Sequence, residues 1–97
     1  MTRSGVRSLI EQHGILPTPQ RVEIARILLE KPQHLSAEQL IERLKASASG
    51  VSKATVYNTL NLLVDKGLLA ARTLREGVTV FDPRLEPHHH LIDADSG

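Results

Sequence analysis

Residues 36–67 read SAEQLIERLKASASGVSKATVYNTLNLLVDKG, a stretch that predicts two helices joined by a short loop. The first helix begins at Ser36, because the Ser36 side chain and that of Gln39 can each bind the other residue's backbone N–H in a capping box. Small residues at 46–50 interrupt the helical pattern and predict the loop. The buried positions of this first helix are Leu40, Ile41 and Leu44.

The second helix of the stretch runs from Ser52, a good capping residue, to Lys66 and ends before Gly67. It has one apolar and one polar face. The apolar face holds Val56, Leu60 and Leu63, and the polar face holds Lys53, Tyr57 and Asn61 with Asn58 beside them. Helices at 36–46 and 52–66 in this order form a helix-turn-helix, in which the second helix enters the major groove of DNA.

Two further helices are predicted upstream. The first ends at Gly14, and the second is capped by Thr18, has Pro19 in its first turn and stops before Pro32. Their apolar residues recur at helical spacing. These residues are Val6, Leu9 and Ile10 in the first helix, and Val22, Ala25, Ile27, Leu28 and Leu29 in the second.

Downstream of Gly67 the pattern changes to that of a β-hairpin. Leu68–Leu74 and Val78–Phe81 are rich in apolar and β-branched residues, and Arg75-Glu76-Gly77 between them is a turn signal. A lone hairpin is marginally stable in water, so this one must pack on the helices. The predicted fold is therefore mainly α with a small β-hairpin, a winged helix-turn-helix of three to four helices and a two-stranded wing.

Composition excludes several classes of protein. Ninety-seven residues are too few for two full cores, and the absence of cysteine excludes disulfides and thiolate metal sites. Tyr57 and Phe81 are the two aromatic residues, which argues against RNA recognition by base stacking. No apolar run approaches a membrane span, and the N-terminus does not resemble a secretory signal, so a cytoplasmic protein without membrane contact is expected.

The net charge of +1 conceals two regions of opposite charge. Residues 1–81 hold 11 Lys and Arg against 7 Asp and Glu, whereas residues 82–97 hold one Arg, four acidic residues and three of the five histidines. A basic body suits phosphates, and an acidic, histidine-rich end suits a cation. The candidate DNA-binding residues of the body are Arg21, Ser52, Lys53, Thr55, Tyr57, Asn58, Arg72 and Arg75.

The histidine-rich end predicts metal binding. In an extended segment His88 and His90 point to the same side, with Asp82 a few residues before them, and His34 is a more distant nitrogen donor. Imidazole and carboxylate suit Fe²⁺, Mn²⁺, Zn²⁺ or Ni²⁺. Three alternatives stay open: a solvated face and linker, a winged-helix protein-interaction module without metal sensing, and a metal-dependent hydrolase with Asp82 as base. No catalytic constellation supports the hydrolase, so we expect no enzyme.

Together these residues resemble the ferric uptake regulator superfamily of bacterial transcription factors. Four segments carry the resemblance over residues of about 5 to 97, nearly the whole chain. They are Gly14-Ile15 with Thr18-Pro19-Gln20-Arg21, then His34-Leu35-Ser36-Ala37-Glu38, then Ala54-Thr55-Val56-Tyr57 with Leu60 and Gly67-Leu68, and finally Asp82 with His88-His89-His90-Leu91-Ile92.

The resemblance implies a regulatory metal site and a DNA contact. Its ligands would be His34, Asp82, His88 and His90, with His89 a candidate for a second site and Tyr57 a base-contacting residue. The metal would be Fe²⁺ or Mn²⁺, with Zn²⁺ as the alternative. An Asp at 82 is similar to the peroxide-sensing branch.

The resemblance also implies a domain plan and a function. Residues 1–83 would be the winged-helix domain, and residues 84–97 a hinge and the start of a dimerisation domain that the chain lacks. The function would be that of a metal-dependent repressor sensing iron, manganese or peroxide, or alternatively a zinc- or other metal-uptake regulator. It would bind an AT-rich palindrome in double-stranded DNA as a homodimer. Two departures concern Asp93 and Ser96, where a Cys-x-x-Cys structural zinc motif is often found, and Leu16, where a basic residue is common.

Overall fold

The computed structural model describes residues 2–30, 33–47 and 50–84 of the chain. The predicted ligands His88, His89 and His90 lie outside these residues. Within them, four helices and three strands follow one another along the chain. They are α1 (Arg3–Gln12), α2 (Pro19–Leu29), β1 (Leu35–Ser36), α3 (Ala37–Ala46), α4 (Lys53–Asp65), β2 (Leu69–Thr73) and β3 (Thr79–Pro83).

Hydroxyl side chains start three of the helices as the sequence predicts. Thr18 accepts a hydrogen bond from the N–H of Arg21 at 3.3 Å, with Pro19 in the first turn of α2. At α3 both halves of the capping box with Ser36 are formed. At α4 the Ser52 hydroxyl accepts the N–H of Thr55 at 3.2 Å. Such caps each contribute about 1 kcal/mol, so the helix starts are fixed locally.

The helices and the sheet share one apolar core. Leu40 of α3, Leu60 of α4 and Leu28 of α2 are fully buried, and Phe81 of β3 packs in the same cluster. The predicted apolar face of α4 is therefore the buried one. This packing leaves the polar face of α4 exposed, while β2 packs against α4 and β3 against α2 and α3. Within the described ranges, no helix has both the length and the apolar composition that crossing a bilayer requires.

The sheet differs from the predicted two-stranded wing because a third strand joins it. β3 is central, with β2 and β1 antiparallel on either side. The hairpin turn at Arg75-Glu76-Gly77 is confirmed, with a positive φ of 86° at Gly77. The sequence pattern does not indicate β1, because its two residues, Leu35 and Ser36, are too few to show a period-2 pattern. Only their backbone pairing with β3 makes them a strand.

A buried acidic residue ties α1 to α2. Glu23 is only 8% exposed, and its carboxylate binds Arg3 of α1 at 2.7 Å and Arg26 of α2 at 2.9 Å. The hydrogen bond from Arg26 lowers the pKa of Glu23; burial opposes this, and the charges of both arginines add to it. The pairing satisfies a carboxylate that would otherwise be costly to bury.

Stability should therefore decrease in acid as Glu23 is protonated. A lowered pKa stabilises the fold above the usual pKa of Glu, about 4.3, and that contribution is lost as the pH falls through the folded-state pKa. Glu23→Gln should lower the free energy of unfolding at neutral pH by about 2 kcal/mol. It should also reduce the further loss of stability that acid causes in the wild type. Urea unfolding at several pH values measures both effects. Glu11→Gln, at an exposed position of α1, is the control. If Glu23→Gln loses as much stability in acid as the wild type does, the acid sensitivity does not come from Glu23.

Candidate nucleic-acid interface and metal ligands

The polar face of α4 is presented to solvent. Lys53, Tyr57 and Asn58 are exposed on it, whereas Val56 and Leu60 on the opposite face are fully buried. Tyr57 keeps 43% of its surface exposed, so its ring is accessible to a partner. The first two turns of α4 therefore offer a cation, a ring and an amide to a partner, as the sequence predicts.

A shallow cavity joins the start of α2 to the start of α4. It has a volume of about 350 Å³, and its lining includes Arg21, Thr55 and Asn58. The guanidinium of Arg21 is held over this region by a hydrogen bond from Nη1 to the carbonyl oxygen of Leu16 at 3.0 Å. Three predicted DNA-binding residues from two helices thus lie around one opening.

Ser52 has a local structural partner. Besides accepting the N–H of Thr55, its hydroxyl donates to Thr55 Oγ1 at 3.0 Å. The Ser52 hydroxyl proton is thereby used within the helix start. The two hydroxyls lie side by side at the start of α4, and both Ser52 and Thr55 stay predicted contacts for a phosphate or base.

Tyr57 is oriented by a residue that the sequence analysis did not select as a site residue. Its hydroxyl donates a hydrogen bond to Glu38 Oε2 at 3.0 Å, which joins α4 to α3. This bond raises the pKa of Tyr57, and burial and the charge of Glu38 act in the same direction. Both side chains line a cavity of about 440 Å³ that reaches Gly77 and Val78 of the wing turn. No local signal could reveal the bond, because it depends on how α3 and α4 pack.

Removal of Glu38 should therefore lower the pKa of Tyr57. Tyr57 is the single tyrosine of the chain and there is no tryptophan, so ultraviolet absorbance of tyrosinate follows this one group. In Glu38→Ala the pKa should move down toward the usual value of about 10. Glu42→Ala, an exposed carboxylate of the same helix paired with Lys45, should leave the titration unchanged. Identical titration curves for both variants would show that the hydrogen bond is absent in solution.

His34 and Asp82 are brought together by the sheet. Leu35 of β1 lies opposite Phe81 of β3, so the antiparallel register places His34 opposite Asp82. His34 Nδ1 is 3.8 Å from Asp82 Oδ1, and their side chains are 56% and 29% exposed. An imidazole nitrogen and a carboxylate oxygen thus converge from distant parts of the chain. This donor pair suits the borderline divalent metals that the sequence predicts.

The described part of the chain holds two of the four predicted metal ligands. Within residues 2–30, 33–47 and 50–84 there is no group of three or more His, Asp or Glu residues able to hold a metal ion. The roles of His88 and His90, and a second site at His89, stay predictions.

The two predicted DNA-binding arginines of the wing have different surroundings. Arg75 is exposed in the turn between β2 and β3. Arg72, on β2, binds Asp82 instead, with Nη2 3.1 Å from Oδ2. Asp82 therefore faces His34 with one oxygen and Arg72 with the other, a contact that the sequence analysis did not predict.

Comparison with known proteins gives a consistent family match. Residues 12–97 match the model of the ferric uptake regulator family. The chain is 36% identical over 93 residues to a ferric uptake regulation protein of Rhizobium leguminosarum, covering 95% of this chain and 66% of that protein. It is 32% identical over 88 residues to a peroxide-responsive repressor of Staphylococcus aureus, covering 91% of this chain and 60% of that protein.

The fold is shared with solved structures. A ferric uptake regulator from Pseudomonas aeruginosa, solved with manganese, superposes with a TM-score of 0.76 at 30% identity. The match covers 82% of this chain and 60% of the Pseudomonas chain. The winged helix-turn-helix prediction is thereby confirmed. The chain spans about two thirds or less of the length of these relatives.

Proposed function

This chain belongs to the ferric uptake regulator family, and we propose that its protein is a metal-dependent transcriptional repressor, acting in the cytoplasm as a homodimer on double-stranded DNA. The observation that carries the proposal is that one small domain presents the polar face of α4 and, at its sheet, the converging donors His34 and Asp82. An AT-rich palindrome is the proposed operator. A palindrome suits a two-fold dimer, which presents one α4 to each half-site, and the AT-rich composition is what the family resemblance implies.

The proposed DNA contacts fall into two groups. Tyr57, Asn58 and Thr55, on the first turns of α4, read base edges or bind the nearby phosphates. The cations carry the sequence-independent part of the affinity. These cations are Arg21 beside the shared cavity, Lys53 at the start of α4, and Arg72 and Arg75 of the wing.

The proposed metal ligands are His34, Asp82, His88 and His90, with His89 at a second site. A divalent cation bound there would supply a positive centre that imidazole and carboxylate donors share. His34 directly precedes β1 and Asp82 lies on the adjacent strand β3, and ligation together with residues from 84–97 would fix that segment against the wing. The orientation of the two DNA-binding domains in a dimer would then depend on the metal.

We propose Fe²⁺ or Mn²⁺ as the regulatory metal, with Zn²⁺ as the alternative. The residue at 82 is the shorter carboxylate, which favours peroxide sensing over iron uptake. The Staphylococcus relative is named as a peroxide-responsive repressor and the Rhizobium relative as a ferric uptake regulation protein, so similarity alone does not choose between these signals.

DNA binding by the full-length protein should require metal. In fluorescence anisotropy, Mn²⁺ should raise the affinity for an AT-rich palindromic duplex, and a chelator should reverse the effect. A scrambled duplex of the same length is the control. Tyr57→Ala should weaken binding to the palindrome by about 1–3 kcal/mol and affect the scrambled duplex less. A flat response to DNA and metal would favour a protein-interaction module instead.

A further inference from the structure

Arg72 occupies one side of the carboxylate that we propose as a metal ligand. Its Nη2 lies 3.1 Å from Asp82 Oδ2, while Asp82 Oδ1 faces His34 Nδ1 at 3.8 Å. Both oxygens of Asp82 therefore have a neighbour, and the closer of the two is a cation. A carboxylate in this state is already neutralised by the chain's own charge.

The wing itself fixes this contact. β2 and β3 are antiparallel, with Ala70 opposite Asp82 and Arg72 opposite Val80. Arg72 and Asp82 are therefore diagonal neighbours on one face of the hairpin, a spacing that long side chains bridge readily. The hairpin register therefore keeps the two side chains within reach of each other as long as the wing is folded.

The Arg72 guanidinium and a metal ion at Asp82 would repel each other, because both are cations. Arginine stays charged at every physiological pH and offers only donors, so it cannot join a ligand set. A divalent cation at Asp82 would meet its repulsion and compete with it for carboxylate oxygen. The pair is accessible, however, with Arg72 57% and Asp82 29% exposed, and exposed ion pairs contribute at most about 1 kcal/mol. The guanidinium can therefore be displaced.

We propose that Arg72 is an internal competitor for Asp82 that weakens metal binding and so sets the metal concentration at which the site fills. The inference rests on the proposed function, because it requires His34 and Asp82 to be ligands. Metal binding releases the Arg72 guanidinium from Asp82, and the wing then carries an additional unpaired cation. A site with the same ligands but without Arg72 fills at a lower metal concentration.

The opposite interpretation is that Arg72 holds Asp82 in the orientation that the metal needs. The two interpretations predict opposite changes in metal affinity when Arg72 is removed. A competitor, when removed, leaves a tighter site, whereas a positioning residue, when removed, leaves a weaker one. Arg75 provides a matched comparison, because it is an arginine of the same wing at an exposed turn position.

Calorimetric titration of the full-length, metal-free protein with Mn²⁺ tests the inference. Arg72→Gln should bind Mn²⁺ about fivefold more tightly than wild type, the gain expected on removing an exposed ion pair. Arg72→Lys, which keeps the charge, should stay close to wild type, as should Arg75→Gln. The gain in Arg72→Gln should shrink at high salt, where the competing charge is screened.

The outcomes separate this inference from the function on which it rests. If Asp82→Asn weakens Mn²⁺ binding but Arg72→Gln matches Arg75→Gln or binds more weakly, Arg72 is not a competitor and the metal site stands. If Asp82→Asn leaves Mn²⁺ binding unchanged, Asp82 is not a ligand, and both the metal site and the role of Arg72 are overturned. Circular dichroism of each variant confirms that the wing and helices are intact.

Discussion

Asp82→Asn should abolish the metal dependence of DNA binding, with Mn²⁺ affinity falling at least about a hundredfold, since even outer-sphere partners of metal ligands contribute 10- to 100-fold. The side chain keeps its size but loses the charge that attracts a cation. Its attraction for Arg72 also weakens, because the carboxylate charge is gone. The measurements are Mn²⁺ titration and anisotropy with the palindromic duplex, both on the full-length protein.

The control for this prediction is Asp65→Asn. Asp65 is the last residue of α4 and is exposed, so its substitution removes the same charge without touching the sheet. Thermal unfolding of both variants separates loss of metal from loss of fold. Retention of full Mn²⁺ affinity by Asp82→Asn in a folded protein would exclude Asp82 as a ligand.

DNA affinity should fall about a thousandfold when the salt concentration rises from roughly 50 to 200 mM, because a dimer contacting about six phosphates releases that many counterions. The net charge of +1 hides this capacity, since the acidic residues of the end segment cancel a basic body. The slope of log affinity against log salt, measured on palindromic and scrambled duplexes, reports the number of contacts.

Lys53→Gln should reduce that slope by about 1 for each subunit and weaken binding to both duplexes equally. Lys66→Gln is the matched control, because Lys66 caps the other end of α4, about 20 Å away along the helix axis. Affinity that does not respond to salt, or an equal slope change in both variants, would contradict the placement of α4 against DNA.

Much of the fold could be predicted because its signals are local. The caps at Thr18, Ser36 and Ser52 act within one helical turn, so a few neighbouring residues define them. The apolar stripe of α4 faces the core simply because helical periodicity puts it on one side. The turn ending at Gly77 needs a left-handed backbone conformation that glycine adopts without strain, which marks the hairpin in the sequence.

The contacts that make the candidate site could not be predicted, because they join distant segments. Glu38 and Tyr57 are both visible as motif residues, but their hydrogen bond depends on the packing of α3 against α4. Glu23, in the helical core, is a similar case. Its partner Arg26 is three residues away and visible in the sequence, but no local pattern indicates that Arg3 of α1 also binds it. Partner choice of this kind is a property of packing rather than of pattern.

The sequence by itself determined where α2, α3 and α4 begin and which face of α4 is buried, and it indicated the side chains that we propose for DNA or a cation. Capping, periodicity and charge act over short distances along the chain, so they can be read without coordinates. Only the tertiary structure decided that β1 is a strand, and that decision brings His34 to Asp82. The tertiary structure also pairs Arg72 with Asp82. Sequence cannot show this pairing, because strand register depends on backbone hydrogen bonds between separate segments of the chain.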